Sequence, residues 1–192
     1  FCNLTEVVIR ANDSVDDLAR KVRIATVLGT IQSTYTHFPY LRKVWSSNTE
    51  AERLLGVSLT GIMDNKLMTL ENKGLSETLE HLKNVAVSTN AEWADRLDIN
   101  HSTAITCVKP SGTGSQLVDS SSGIHARHSP YYICTVRGDN KDPLTKFMMD
   151  HGIPNEPDVM KPDSTTVFSF PMKSPNGAVT RTAMTAIEQL EL

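Results

Sequence analysis

Short apolar runs separated by helical stretches of about twenty residues set the tightest limit on what this chain can fold into. The first run, residues 2–10, contains Val7-Val8-Ile9 and reads as a strand. Ser14 then offers a hydroxyl N-cap, with Asp16 and Asp17 in the first turn, where the helix dipole favours negative charge. Leu18, Val22, Ala25, Leu28 and Ile31 follow in steps of three and four. That spacing predicts a helix over 15–35, ended by Pro39. Residues 54–62 form a second apolar run, whose Gly56 and Gly61 permit a close backbone approach. Leu79, Leu82, Ala86, Trp93 and Leu97 predict a second long helix over 76–97, and 103–108 a buried strand. Further strands are expected over 131–136 and 165–170, a short helix over 142–151, and a final helix from about residue 178. Strands alternating with helices of this length imply an α/β fold of parallel units. Residues 152–164, with three prolines, are expected to be a surface loop, and no internal repeat or domain linker interrupts the 192 residues.

Composition narrows the class further. Hydrophobic residues are 39% and charged residues 21%, with a net charge of -3, the balance of a globular chain rather than a disordered one. The slight acidity argues against a generic nucleic-acid or membrane-surface binder. No run of about 18 apolar residues predicts a membrane span. The opening Phe1-Cys2-Asn3-Leu4 has neither the basic nor the apolar region of a secretory signal. Three widely spaced cysteines, Cys2, Cys107 and Cys134, do not make a disulfide framework and suit a reducing cytoplasm. The chain starts without Met in a strand-like run and stops in a helix-like one, so it is expected to be an internal piece of a longer protein.

The strongest chemical signal is Lys109-Pro110-Ser111-Gly112-Thr113-Gly114-Ser115-Gln116, directly after an expected strand. Two glycines one residue apart allow positive φ and an inward-facing nest of N–H groups. Ser111, Thr113 and Ser115 add hydroxyls, and a helical turn near Ser115 would aim its N-terminus at the same anion. The spacing is neither that of a Walker A loop nor of the dinucleotide fingerprint. Phosphate binding and a plain tight turn both fit. The next segment, Ser120-Ser121-Ser122-Gly123-Ile124-His125, reads as a polar loop. Strand-borne cysteines are usually small buried hydrophobes, which is the plain reading of Cys2, Cys107 and Cys134. His125, His128 and Cys134 match no zinc spacing. Glu6, Arg127 and Arg137 read as surface or ion-pair residues.

Three stretches in order carry a family resemblance: Phe-Cys-Asn-Leu-Thr-Glu-Val at the start, Arg53-Leu54-Leu55-Gly56-Val57-Ser58-Leu59-Thr60-Gly61, and Lys-Pro-Ser-Gly-Thr followed by Ser-Ser-Gly-Ile-His. Together they resemble ribonucleotide reductases, most closely the adenosylcobalamin-dependent class II enzymes of the monomeric ribonucleoside-triphosphate type. The resemblance implies the second half of a ten-stranded α/β barrel, with residues 1–192 a partial catalytic barrel domain. It implies thiyl-radical reduction of a ribonucleoside triphosphate for DNA synthesis, adenosylcobalamin as cofactor and thioredoxin or a similar dithiol as reductant. No membrane and no direct nucleic-acid contact are expected, and the location would be cytoplasmic.

Residue by residue, Cys2 matches the second cysteine of the family's redox-active pair, whose partner and radical-bearing cysteine fall before this chain. Pro110, Ser111, Gly112, Thr113, Gly114 and Ser115 match the substrate-phosphate loop. Ser121, Ser122, Gly123 and His125 match the segment after it, as further substrate-loop residues. Glu6 does not match the family's catalytic glutamate. Nothing in the sequence marks a cobalamin seat or a metal site. Two alternatives stay open: a class I large subunit, which the Lys-Pro-Ser-Gly-Thr loop disfavours, and a non-catalytic phosphate- or nucleotide-binding α/β module.

Overall fold

The computed structural model describes residues 1–192. Strand β1 (Asn3–Val8) leads through Ser14 into helix α1 (Val15–Gln32). The Ser14 hydroxyl accepts from the Asp17 N–H at 3.2 Å and the Asp17 carboxylate accepts from the Ser14 N–H at 3.1 Å, a reciprocal capping box. Helix α2 (Lys43–Glu52) returns the chain to strand β2 (Leu55–Thr60), which pairs parallel with β1 from Asn3↔Leu55 to Val8↔Thr60. Two short 3-10 turns, Ile62–Asp64 and Lys66–Met68, precede helix α3 (Leu75–Leu97). Helix α4 (Thr113–Leu117) follows a third extended lane beside β2. Strand β3 (Tyr131–Asp139), helix α5 (Pro143–Asp150), strand β4 (Asn155–Pro157), strand β5 (Thr165–Lys173) and helix α6 (Ala186–Glu191) complete the order.

The chain packs as two compact units. One comprises Phe1–Arg127 with Pro175–Leu192, the other His128–Ser174. In the first, α1 lies on one face of the β1–β2 pair. Val7, Ile9, Leu18, Val22, Leu55 and Val57 form the core between them, each less than a tenth exposed. Full burial of each such side chain contributes about 1.5–3 kcal/mol. Leu82 and Ala86 of α3 extend this core. Between the helices the buried Asn90 is well partnered: it donates to Thr30 Oγ1 (3.0 Å) and Ser102 Oγ (2.9 Å) and accepts from the Ser102 N–H (3.0 Å). In the second unit β5 is the central strand, antiparallel to both β3 and β4, with α5 beside β3.

The expected α1, α3 and α5 form within a few residues of their predicted bounds, and the other differences have local causes. Residues 103–108 run along β2, with a parallel bridge Val57↔Thr106, but they are not a regular strand and not buried. They are the outer lane of the sheet, so their far side is open and Val108 is 81% exposed. Helix α1 stops at Gln32, seven residues before Pro39, and α2 was not expected: only Thr49 of it is buried, so it carries no apolar stripe to detect. The strands of the second unit are not parallel as expected. Helix α5 leads into β4, which runs in the same direction as β3 on the other side of β5. The reversal comes after β4, where the Asp158 N–H donates to Thr165 O at 2.9 Å and turns the chain into β5, which pairs antiparallel with both neighbours. The loop 152–164 holds β4. The final helix begins at Ala186 instead of near 178, because Val179 and Arg181 donate to Met63 O and Arg127 O and are committed to extended pairing.

Candidate functional site

Alternation along β1 sends Asn3, Val7 and Ile9 to the helix side, where they are buried, and Cys2, Leu4 and Glu6 to the opposite face. Gly56 of β2 lies on that same face. A Cβ built there would meet Leu4 Cδ2, Cys107 Sγ at 3.0 Å and Cys2 Sγ at 3.2 Å. Cys2 is exposed and Cys107 half-buried. Burial pushes the Cys107 thiol up, neighbouring Cys2 adds to the rise, and Lys109 opposes it.

Four residues on from Cys2, Glu6 of β1 reaches the loop. Its Oε1 is 3.7 Å from Lys109 Nζ, and its Oε2 is 3.1 Å from where a Gly114 Cβ would stand. Glu6 Oε1 is buried without a hydrogen-bond partner, and so are the hydroxyls of Ser111, Ser120 and Ser121. Such orphaned polar atoms are uncommon in folded chains.

The loop differs from its sequence-level picture. Neither Gly112 nor Gly114 adopts positive φ; Gly112 is the N-cap of α4 with φ −72°. The left-handed nest is therefore absent. Pro110, Ser111 and Gly112 instead turn directly into α4, whose first residues are Thr113, Gly114 and Ser115, so the first-turn N–H groups have no carbonyl partner within the helix. Ser115 Oγ closes the turn by donating to Ser111 O (2.6 Å) and Gly112 O (2.8 Å).

The second segment is brought against the first. Ser122 Oγ donates to Ser111 O, and Gly123, at φ +54°, lies over Lys109 O. The end of β2 holds this segment from below. Ser121 O accepts from the Gly61 N–H (2.9 Å) and Thr60 Oγ1 (3.0 Å), while the Gly123 N–H donates to Thr60 Oγ1 (2.9 Å). Asp64 accepts the Ser121 N–H at 2.9 Å and pairs with both Nε and Nη2 of buried Arg127 at 2.8 Å. His125 stands apart: it is exposed and its Nδ1 meets Gln189 Nε2 of α6 at 2.7 Å. Glu6, Asp64 and Cys107 were not singled out in the sequence for this site, and Lys109 entered only as the first residue of the loop motif. Strand alternation from Cys2 is the one signal that could have found Glu6. The ion-pair reading of Arg127 and Arg137 holds, Arg137 Nε lying 2.8 Å from Asp158. No group of three His, Cys, Asp or Glu side chains is placed to hold a metal, and no helix is long and apolar enough to cross a membrane.

No family model matches the chain. Individual proteins do. An adenosylcobalamin-dependent ribonucleoside-triphosphate reductase of Lactobacillus gasseri is 28% identical over 200 residues, covering 91% of this chain. One from Euglena gracilis is 28% identical over 196 residues and covers 100% of it. The chain spans 26% of the length of each of these relatives. A crystal structure of a B12-dependent class II ribonucleotide reductase superposes with a TM-score of 0.75 at 22% identity, over 93% of this chain and 28% of that one. That likeness shows the fold: the helix-and-strand arrangement is shared with part of a class II reductase, an α/β barrel protein. Along nearly its whole length, this chain is similar in sequence to adenosylcobalamin-dependent ribonucleoside-triphosphate reductases, and it shares the fold of part of a class II ribonucleotide reductase.

Proposed function

We propose that this chain contributes the reducing thiol and the phosphate-binding loop of a ribonucleoside-triphosphate reductase. One observation carries the reading: the face of β1 toward which Cys2 points also presents Glu6, which lies against Lys109 and Gly114 of the loop where the Ser111 hydroxyl is buried without a partner. Cys2, just before β1, and Glu6 within it are four residues apart, roughly 13 Å along extended chain, the scale of a ribonucleotide stretched from ribose to its phosphates. Ser111, Ser121 and the first-turn N–H groups of α4 would donate to phosphate oxygens, with Lys109 supplying charge beside them. Pro110, Gly112, Thr113, Gly114 and Ser115 shape that turn, and Ser122 and Gly123 buttress it. Cys2 would supply one of two thiols. Together the pair gives up two electrons and two protons and becomes a disulfide, the ribose 2′-OH leaves as water, and hydrogen takes its place. The second thiol belongs, by the family resemblance, to residues outside this chain. The relatives' name supports adenosylcobalamin as cofactor of the whole protein, where it would supply the radical. We assign no residue of this chain to it. A thioredoxin-like dithiol would re-reduce the pair, and a cytoplasmic site of action follows from that need for a reducing environment.

The test is anaerobic CTP reduction by the full-length protein with a dithiol, with and without adenosylcobalamin, beside Cys2→Ser and Ser111→Ala. Strict cobalamin dependence and loss of multiple turnover in Cys2→Ser are expected. Ser111→Ala is expected to raise KM about tenfold with little change in kcat, the loss of one charged hydrogen bond. Activity without cobalamin overturns the class II reading. Nucleotide binding with no reduction leaves only a phosphate-binding module.

A further inference from the structure

The redox end of this face holds two thiols. Cys107 comes from the outer lane on the far side of β2, tied in by its N–H to Val57 O at 3.1 Å. Cys2 comes from the β1 side. Both sulfurs approach the one point in the middle lane where Gly56 has no side chain, at 3.0 and 3.2 Å, so they are at most about 6 Å apart. Any residue larger than glycine at 56 would fill the gap between them. Cys134 lies on β3, in the other unit.

We propose that Cys107 is a resolving thiol for Cys2: a Cys2 held in a mixed disulfide with another thiol passes on to a Cys2–Cys107 disulfide. The proposal rests on the reading of Cys2 as a redox thiol. In the exchange Cys107 releases its proton to solvent and its thiolate attacks Cys2 Sγ. The Cys107–Cys2 bond forms as the bond from Cys2 to its former partner breaks, and that partner leaves as a thiolate and takes up a proton. No electrons are gained or lost overall, so the disulfide already on Cys2 is the only oxidant required. A disulfide needs its sulfurs about 2 Å apart, so one end must swing in. Cys2 is the end free to do so: the β1 ladder opens after it, at Asn3, whose N–H donates to Leu54 O at 2.8 Å.

Oxidised glutathione is the probe. The full-length protein, fully reduced, is incubated with it, quenched with acid and an alkylating agent, and mapped by mass spectrometry after non-reducing digestion. A Cys2–Cys107-linked peptide is expected to accumulate while glutathione on Cys2 is transient. In Cys107→Ser the Cys2 adduct is expected to persist at least about tenfold longer. Cys107→Ala, checked by circular dichroism, is expected to behave the same way, which separates the thiol from any effect of a polar replacement. An adduct that lasts equally long in the parent chain and in both variants overturns the proposal and leaves Cys2 a reactive thiol. A Cys2 that takes up no glutathione and stays reduced after turnover overturns the reading of Cys2 and the proposal with it.

Discussion

Replacing Asp64 with asparagine keeps the shape of the side chain and removes its charge. In the parent chain Asp64 accepts three bonds: Arg127 Nε to Oδ1 at 2.8 Å, Arg127 Nη2 to Oδ2 at 2.8 Å, and the Ser121 N–H to Oδ2 at 2.9 Å. Both side chains of the pair are 3% exposed. An amide nitrogen in place of either oxygen faces a donor, so at least one bond is lost and Arg127 loses its buried counter-charge. Removing one partner of a buried pair costs about 3–5 kcal/mol. Asp119 still accepts from Arg127 Nη1 at 2.8 Å, which holds the cost to the lower end, about 3 kcal/mol. The assay is urea unfolding followed by circular dichroism. With a slope of about 1–3 kcal/mol/M, the midpoint is expected to fall by on the order of 1–3 M. Asp119→Asn is the control: its side chain is 58% exposed and its loss is expected to cost about 0–1 kcal/mol. A loss below about 1 kcal/mol for Asp64→Asn, or equal losses for the two variants, would refute the argument that burial of the pair holds the Ser121 segment in place.

Three further outcomes are expected. Gly61→Ala forces a Cβ to within 2.5 Å of the Ile9 carbonyl oxygen at φ +80°, so thermal melting should show a loss of about 3 kcal/mol or more; a neutral result would mean that this turn can reshape. Ser121→Ala deletes a buried hydroxyl without a partner, so stability without ligand should be unchanged or rise by about 1 kcal/mol while nucleotide affinity falls; equal affinity in a titration would remove Ser121 from the phosphate site. Arg137, with the Met160 and Lys161 N–H groups, holds the Asp158 carboxyl below the usual carboxylate range. The folded form then binds fewer protons than the unfolded, so this contribution is complete above the unfolded pKa and is lost as pH falls through the folded one. Melting temperatures compared from about pH 5 downward should fall less steeply in Asp158→Asn than in the parent, and parallel curves would count against the pairing.

What was legible in the sequence is what neighbouring residues decide among themselves. The Ser14–Asp17 capping box, the apolar stripes of α1 and α3, and the strand runs containing Val7 and Val57 lie within a few residues of one another, so their spacing states their structure. The motifs in order also carried the resemblance to ribonucleotide reductases, with which the chain shares 28% identity in one relative and the fold of part of a class II structure. Tertiary structure alone decided which strands pair and in which direction, as the antiparallel β3–β5–β4 sheet shows. It likewise decided that 179–181 would be drawn into extended pairing rather than helix, and that the loop glycines would cap a short helix rather than form a left-handed nest. The site belongs to this second group. Glu6 reaches Lys109, Asp64 reaches Arg127 and Cys2 approaches Cys107 across separations of 63 to 105 positions in the chain. Such pairs form because a folded sheet sets distant lanes side by side, and no local preference encodes which polar atom will be waiting there.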